Sequence, residues 1–205
     1  MWGIRRLSRF VAPVRARNCN RLQPLSIAAT YNEYGDPKKV IKMEQIGLSP
    51  LTASDVEVKM LAAPINPADL NMIEGVYGLK AKFPAVAGNE GVGIVTAVGS
   101  AVKSVSVNDW VIPGAGGGFG TWRYTARVNE NSLMKVPNDI PVPYAATISV
   151  NPATAYRLLR DFVKLEPGDV IIQNGANSMV GQAVIQMARE MGVKTINVIR
   201  SDRYF

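Results

Sequence analysis

With 205 residues, 47% of them hydrophobic and 19% charged, the chain is long enough to bury a core and too apolar to be disordered. It contains no histidine and one cysteine, Cys19, which excludes a Cys/His zinc site, a disulfide framework and a histidine-based catalytic triad within this sequence. The formal charge of +7 is concentrated in the first 25 residues, so the remainder is nearly neutral and offers no basic cluster for nucleic acid.

Residues 1–25 contain six arginines and no acidic residue. Apolar residues such as Trp2 and Phe10 are interspersed among them, a composition typical of a mitochondrial transit peptide. We predict that this segment directs the protein to the mitochondrial matrix and is then removed; the alternative is a basic tail that targets nothing. No apolar run of the chain is long enough to cross a membrane, so we expect no membrane partner.

The sequence from Ser26 to about Val142 predicts mostly short strands and turns. Residues 55–60 alternate apolar and charged side chains at the period of a half-buried strand, and a turn at residues 66–69 leads into a short helix through Ile73. Short strands at such turn-rich spacing favour a closed or nearly closed β-structure. The further predicted strands lie within residues 88–99, 109–113, 121–128 and 133–137.

After Pro143 the pattern changes to alternating helix and strand. Residues 145–159 are helix-like with an interruption at Asn151-Pro152, and an amphipathic helix over 180–191 lies between two short buried strands. The two strands, residues 170–173 and 194–199, predict one parallel βαβ unit with a right-handed crossover. A doubly wound domain needs more strands, so we expect the sequence to be a fragment or a truncated isoform.

The loop at residues 174–181 is a candidate phosphate-binding turn. In a dinucleotide-binding fold this loop presents backbone N–H groups at a helix N-terminus, where the helix dipole favours a pyrophosphate. Gly175 and Gly181 suit a tight turn and a close helix–strand contact, while Asn177 and Ser178 can cap the helix and donate to phosphate oxygens. The middle glycine of the usual motif is absent, so an ordinary strand-to-helix turn is an equal alternative on spacing alone.

The end of the second strand distinguishes between nicotinamide cofactors. An NAD site usually has an acidic residue there, whereas this chain has Arg200, followed by Ser201 and Asp202. Because arginine can pair with a 2′-phosphate, the position favours NADPH as the cofactor. Asp202 opposes a phosphate, and the alternative is that Arg200 is a solvated strand end.

Several motifs occur in an order that resembles one known superfamily. They are Asn66-Pro-Ala-Asp-Leu-Asn71, Gly88-Asn-Glu-Gly-Val-Gly93, Asp109-Trp-Val-Ile-Pro113, Asn151-Pro-Ala-Thr-Ala-Tyr156 and the loop 174–181. Together they resemble the medium-chain dehydrogenases/reductases. Asn89 stands where the zinc alcohol dehydrogenases have a histidine ligand, which agrees with the absence of histidine, and we expect no metal site.

The resemblance implies an α/β fold class, with an N-terminal chaperonin-10-like β-domain followed by an incomplete Rossmann domain. We therefore expect a transit peptide at residues 1–25, the β-domain at 26–145 and the start of the NADPH-binding domain at 146–205. Within the superfamily, Asn71-Met-Ile-Glu-Gly-Val-Tyr-Gly-Leu79 and Gly120-Thr-Trp-Arg123 resemble the mitochondrial 2-enoyl thioester reductases. These are NADPH-dependent oxidoreductases that saturate enoyl groups on acyl carrier protein or CoA, and are typically homodimers.

That closer resemblance also implies roles for individual residues. Tyr77 would be the catalytic proton donor, and Trp122 either walls the substrate cleft or is a core aromatic residue. A quinone or enone reductase of the same superfamily and a non-catalytic truncated form remain as alternatives. The cofactor-binding residues that the resemblance implies are Asn151, Asn177, Ser178, Met179, Val180, Arg200 and Ser201.

Overall fold

The computed structural model describes residues 24–114 and 119–200 of the chain. Residues 24–114 and 119–136 form an antiparallel β-part with two short helices and a 3₁₀ turn at Glu130–Ser132. Its elements in chain order are β1 (Leu25–Tyr31), α1 (Pro37–Val40), β2 (Lys42–Gly47), β3 (Asp55–Ala62), α2 (Pro67–Glu74), β4 (Ala85–Val86), β5 (Val92–Val98), β6 (Trp110–Pro113), β7 (Thr125–Asn129) and β8 (Leu133–Val136).

These strands form two sheets. The larger has the order β7-β3-β5-β6-β8, and the smaller has the order β2-β1-β4. A single bridge between Ala28 and Arg123 links β1 to the segment before β7. The nearly closed β-structure that the sequence predicted is thus built from two sheets.

The central strand β3 organises the larger sheet. It pairs with β5 on one side and with β7 on the other, so that Val56 is opposite both Val98 and Val128. Val56 and Val58 are fully buried on one face, because alternate residues of a strand point to the same side. They pack with Val95 and Val111 into the core of the β-part. The predicted alternation of this segment is confirmed.

The strand predicted over residues 121–128 is wrong in its first half, since β7 begins at Thr125. The N–H groups of Thr121 and Trp122 donate to the carbonyls of Gly88 and Ala87, and the Trp122 carbonyl accepts from Ala29. These contacts join a loop to distant segments, and local propensity does not encode them.

The second part consists of α3 (Val142–Thr147), α4 (Asn151–Arg160), β9 (Val170–Asn174), α5 (Met179–Glu190) and β10 (Lys194–Val198). The two strands pair in parallel, as predicted, with Ile172 opposite Ile196. The helical segment is interrupted just before Asn151-Pro152, also as predicted, and Pro152 lies in the first turn of α4, where it removes no helical hydrogen bond. Helix α3 spans the predicted domain boundary at residues 145–146, which stays a prediction.

One face of the two-stranded sheet is covered by α4 and α5, through Ala155, Leu159, Val184 and Ala188. The other face is open, as expected for the strands of an incomplete Rossmann domain, and its residues Val170, Ile172, Ile196 and Val198 are 47–71% exposed. The described residues contain no element that packs on this face. None of the helices in the described part of the chain is both long and apolar enough to span a membrane.

Candidate functional site

The loop that carries Tyr77 is fixed by the end of helix α2. Gly75 terminates the helix in the left-handed conformation, with φ of 78°. The N–H groups of Val76 and Tyr77 both donate to the Asn71 carbonyl, at 3.0 and 3.1 Å. This capping arrangement satisfies the last carbonyls of the helix and holds the Tyr77 backbone against it.

Tyr77 differs from the two tyrosines that lie beneath its loop. Tyr31 is 3% exposed, whereas Tyr34 and Tyr77 are 37% and 39% exposed. The Tyr34 hydroxyl donates to the Ala81 carbonyl at 3.3 Å. Burial raises the pKa of Tyr31, with smaller contributions from Tyr34 and Asp69. Of these three phenols, Tyr77 is therefore the one that is exposed and whose hydroxyl makes no hydrogen bond within the described residues.

The aromatic residues under the loop pack closely. The Phe83 ring meets the rings of Tyr31 and Tyr34 edge to face, with centroids 5.7 and 4.8 Å away. A Cβ atom on Gly75 would lie 2.7 Å from Cγ of Tyr34, so there is no room for a side chain at that position. The cluster and the helix cap together determine where Tyr77 lies.

The buried carboxylate of Asp69, in α2, holds Asn89, which lies shortly before β5. Asp69, 2% exposed, accepts hydrogen bonds from the backbone and side-chain nitrogens of Asn89 at 3.0 and 2.8 Å, and from the Asn66 N–H at 2.8 Å. The Asn89 side-chain nitrogen also contacts the sulfur of Met72. Amide and carboxylate groups thus satisfy one another around Asn89.

Glu90 links the β-part to the beginning of α4. Its side chain is 1% exposed and accepts from the Val150 N–H and Ser149 hydroxyl on Oε1 and from the Asn66 carboxamide on Oε2. Asn151 in turn donates to Oδ1 of Asn66 at 3.3 Å. The structure therefore brings Asn151 next to Asn66, the N-cap residue of α2, and α2 is the helix that precedes Tyr77.

The loop at residues 174–181 has the geometry of a phosphate-binding turn. Gly175 has φ of 58°, and the Ser178 hydroxyl oxygen caps α5 by accepting from the Gly181 N–H at 3.1 Å. The N–H groups of Met179 and Val180 lie in the first turn, where a helix supplies no carbonyl partner. An anion would meet these donors at the positive end of the helix dipole.

Gly181 allows the close approach of the helix to the loop. A Cβ atom there would lie 2.6 Å from the Ala176 carbonyl oxygen, closer than any side chain tolerates. By contrast, a Cβ atom on Gly175 would meet nothing within 4 Å, which leaves space beside the turn. The residues present therefore fit a pyrophosphate at this position.

Arg200 lies two residues after the end of β10 and is exposed. The Val198 carbonyl accepts from the Ala176 N–H at 3.2 Å, which places the end of β10 beside the candidate phosphate loop. Ser201 and residues 1–23 of the predicted transit peptide lie outside the described residues. No hydrogen bond within residues 24–114 and 119–200 joins Tyr77 directly to the loop or to Arg200.

Trp122 borders an apolar cleft of about 360 Å³ in the β-part. Its indole N–H donates to the Pro64 carbonyl at 3.0 Å, and Cδ1 and Nε1 of the same ring leave no room for a Cβ atom on Gly88. Leu61, Ile65 and Tyr124 also line the cleft and are substantially exposed. Trp122 is thus both a packed residue and a cleft wall, and its role in substrate binding stays a prediction.

Sequence reasoning missed Asn66, Asp69 and Glu90 as site residues. All three belong to the motifs at residues 66–71 and 88–93, but the motifs alone do not indicate contacts across 24 or 60 residues of chain. The usable signal was the pair of acidic residues inside apolar, glycine-rich surroundings, because carboxylates are seldom buried without several donors.

Comparison with known proteins places the chain among related sequences. A model of the alcohol dehydrogenase GroES-like domain matches residues 52–138. Mitochondrial enoyl-acyl-carrier-protein reductase from Rattus norvegicus is 60% identical over 173 residues, which are 84% of this chain and 46% of that protein. The chain thus spans about half the length of the curated relatives it matches.

Solved structures show the same fold. Etr1p, a 2-enoyl thioester reductase known from Candida tropicalis, has been solved in complex with NADP and crotonyl-CoA; it is 37% identical, has a TM-score of 0.82, and the match covers 88% of this chain and 56% of that one. A quinone oxidoreductase from Pseudomonas syringae is 26% identical, with a TM-score of 0.77 and coverage of 86% and 54%. The predicted fold class is confirmed, and so is the mitochondrial location, which the names of the rat relative and of the Candida tropicalis reductase both carry.

Proposed function

We propose that the whole protein reduces 2-enoyl thioesters with NADPH, as a zinc-free member of the medium-chain dehydrogenases/reductases. The proposal starts from the similarity of this chain to mitochondrial enoyl-acyl-carrier-protein reductases over about half of their length. The observation that carries the proposal is the position of Tyr77. Its accessible phenol sits on a capped loop after α2, and the start of α2 is bonded through Asn66 to Asn151, where the nucleotide-binding part begins.

Reduction of an enoyl thioester requires one hydride and one proton. NADPH supplies the hydride, which goes to the β-carbon of the double bond, and the α-carbon then takes a proton. Tyr77 donates that proton from its hydroxyl, since a phenolic O–H is a hydrogen-bond donor that can act as a general acid. The described residues contain no histidine that could do so instead.

The cofactor contacts follow from the loop and strand geometry. Asn177, Ser178, Met179 and Val180 surround the pyrophosphate position with a hydroxyl, backbone N–H groups and the helix dipole. Arg200, together with Ser201, binds the 2′-phosphate that distinguishes NADPH from NADH. Asn151, at the start of α4, also binds the nucleotide.

The substrate is an enoyl group on CoA or on acyl carrier protein, as the names of the relatives indicate for those proteins. An apolar cleft beside Trp122 offers surface for an acyl chain. We propose that the protein acts in mitochondrial fatty-acid synthesis as a homodimer; Etr1p has been solved as a heterodimer with Etr2p.

A chimeric enzyme tests the proposal. Residues 24–200 of this chain replace the aligned half of the rat relative, which supplies the remaining part of the protein. We expect the chimera to oxidise NADPH with crotonyl-CoA as acceptor, and to do so much more slowly with NADH. A folded chimera that binds NADPH but reduces no enoyl thioester would contradict the proposal.

A quinone reductase is the second candidate, because the fold also matches a quinone oxidoreductase. The lower identity of that match, 26% against 37% for the enoyl thioester reductase, favours the first candidate. The same chimera assayed with a quinone discriminates between them: turnover of the quinone without turnover of crotonyl-CoA would establish the second function.

A further inference from the structure

The side chains of Glu90, Asn66 and Asn151 form a hydrogen-bonded relay that leads from the buried carboxylate of Glu90 to the start of α4. Glu90 Oε2 accepts from Nδ2 of Asn66 at 2.8 Å, and Oδ1 of Asn66 accepts from Nδ2 of Asn151 at 3.3 Å. The other oxygen, Oε1, accepts from the Val150 N–H at 2.8 Å. The relay connects three separate segments of the chain at the junction of its two parts.

The chemistry of the first member fixes the direction of every bond in this relay. A carboxylate can only accept, so Asn66 must turn its NH₂ group toward Glu90 and its carbonyl oxygen toward Asn151. Asn151 must then turn its own NH₂ group toward Asn66. Its carbonyl oxygen, Oδ1, is consequently the end of the side chain that remains for another partner.

We propose that Glu90 is a positioning residue, which sets the amide orientation of Asn151 so that this residue offers a hydrogen-bond acceptor to the nucleotide. The inference rests on the proposed binding of NADPH. It follows that Asn151 recognises a donor group of the nucleotide, which is either the carboxamide N–H of the nicotinamide or a ribose hydroxyl.

Replacing Glu90 by glutamine reverses the relay. The Val150 N–H is a fixed donor, so the new side chain keeps its oxygen on Val150 and presents its NH₂ group to Asn66. The side-chain amide of Asn66 must flip to accept that bond, and the side-chain amide of Asn151 must then flip as well. The variant keeps the shape of the buried side chain, yet it leaves Asn151 with a donor facing the nucleotide.

The first measurement does not depend on nucleotide binding. The 205-residue chain is labelled with ¹⁵N-asparagine, and the side-chain NH₂ signals of Asn66 and Asn151 are followed by NMR. We expect Glu90→Gln to shift both pairs of signals, because both amides exchange their partners. Glu57→Gln is the matched control, since Glu57 is a half-buried carboxylate paired with Arg127 in the large sheet, and it should leave both signals in place.

The second measurement compares nucleotides by NMR titration of the same chain. Two analogues are used with NADPH: the 3-acetylpyridine analogue, which lacks the carboxamide N–H, and an analogue that lacks the 2′-hydroxyl of the nicotinamide ribose. One of them should bind the wild-type chain on the order of tenfold more weakly than NADPH does, and it identifies the donor. If the donor is the carboxamide, Glu90→Gln should abolish the discrimination.

Two results would overturn the inference: Asn66 and Asn151 signals that do not respond to Glu90→Gln, or a wild-type chain that binds both analogues as tightly as NADPH. If Glu90→Gln does not fold, Asn66→Ala replaces it, because it cuts the relay and should shift the Asn151 signals alone. A wild-type chain that binds no nucleotide would count against the proposed function, while the amide signals would still decide the role of Glu90.

Discussion

At the scale of single residues, the Tyr77 hydroxyl is the group on which the proposed chemistry depends. In the chimera, we expect Tyr77→Phe to lower kcat for crotonyl-CoA by about 10²–10⁴-fold, because a general acid typically contributes that much. The ring and its volume remain, so the Kd for NADPH should change little. Stopped-flow assays and fluorescence titration measure the two quantities.

The control for that substitution is Tyr156→Phe, which removes an exposed hydroxyl from α4, where the ring lies beside Arg160. It should leave both kcat and Kd as they are. An unchanged kcat in Tyr77→Phe would remove this residue from the mechanism and leave proton donation to another group.

The two glycines that flank Tyr77 should respond differently to a methyl group. Gly75 has a positive φ and abuts the Tyr34 side chain, whereas a Cβ atom on Gly78 would meet nothing within 4 Å. We expect Gly75→Ala to lower the free energy of unfolding by about 1–3 kcal/mol and to reduce kcat in the chimera, because the loop must shift. Gly78→Ala should do neither. Equal thermal midpoints and equal rates for the two variants would show that Tyr77 is not held by this packing.

The buried polar residues of the site show where sequence reasoning reached its limit. Tyr77 and Asn151 could be named from motifs, and the structure places them at the two ends of α2 through Asn66. Glu90 could not be named, since its role depends on donors from residues about 60 positions further along the chain. Spacing along a sequence carries no information on which distant N–H group will meet a carboxylate.

At the scale of secondary-structure elements, the predictions that depend on periodicity are confirmed. Strand β3 and helix α5 have clear two-residue and helical patterns, and the structure gives them at nearly the predicted bounds. The β1–β2 pair was not predicted individually, since Lys42–Gly47 is largely exposed and has no alternation to detect. The open face of β9 and β10 agrees with an incomplete Rossmann domain, whereas the apolar runs alone show what could be buried and not what covers it.

The contact between α5 and the phosphate loop gives a prediction at this scale. Gly181→Ala should improve the intrinsic helix propensity of α5 by about 1 kcal/mol. The new Cβ atom would however collide with the Ala176 carbonyl, and we expect this collision to dominate, with a net loss of about 1–3 kcal/mol in stability. Nucleotide binding should weaken as well, because the first-turn N–H groups move away from the pyrophosphate.

Calorimetric unfolding and nucleotide titration of the chimera measure both effects. Gln186→Ala lies on the exposed side of the same helix and serves as the control. A Gly181→Ala variant that is more stable than the wild type would mean that the loop yields easily and that the glycine is not required for close approach.

At the scale of the whole molecule, the charge distribution separates one segment from the rest. Residues 1–25 carry six arginines and no acid, while the remaining residues are nearly neutral. We expect these residues, fused to a fluorescent reporter, to direct it into mitochondria and to be cleaved off there. A fusion in which the arginines are replaced by glutamine is the control and should stay in the cytosol. Cytosolic retention of the unaltered fusion would contradict the prediction.

The two tryptophans of the described residues, Trp110 in β6 and Trp122 beside the cleft, both lie in the β-part, while the longest helices, α4 and α5, lie in the other part. Once residues 1–25 and with them Trp2 are removed, tryptophan fluorescence reports on one part of the molecule and helical circular dichroism mainly on the other. The part with α4 and α5 has an uncovered sheet face, so its ellipticity should be lost at lower denaturant concentration than the fluorescence changes. Coincident transitions would show instead that the relay through Glu90 and the packing of α3 on the β-part make the two parts unfold as one.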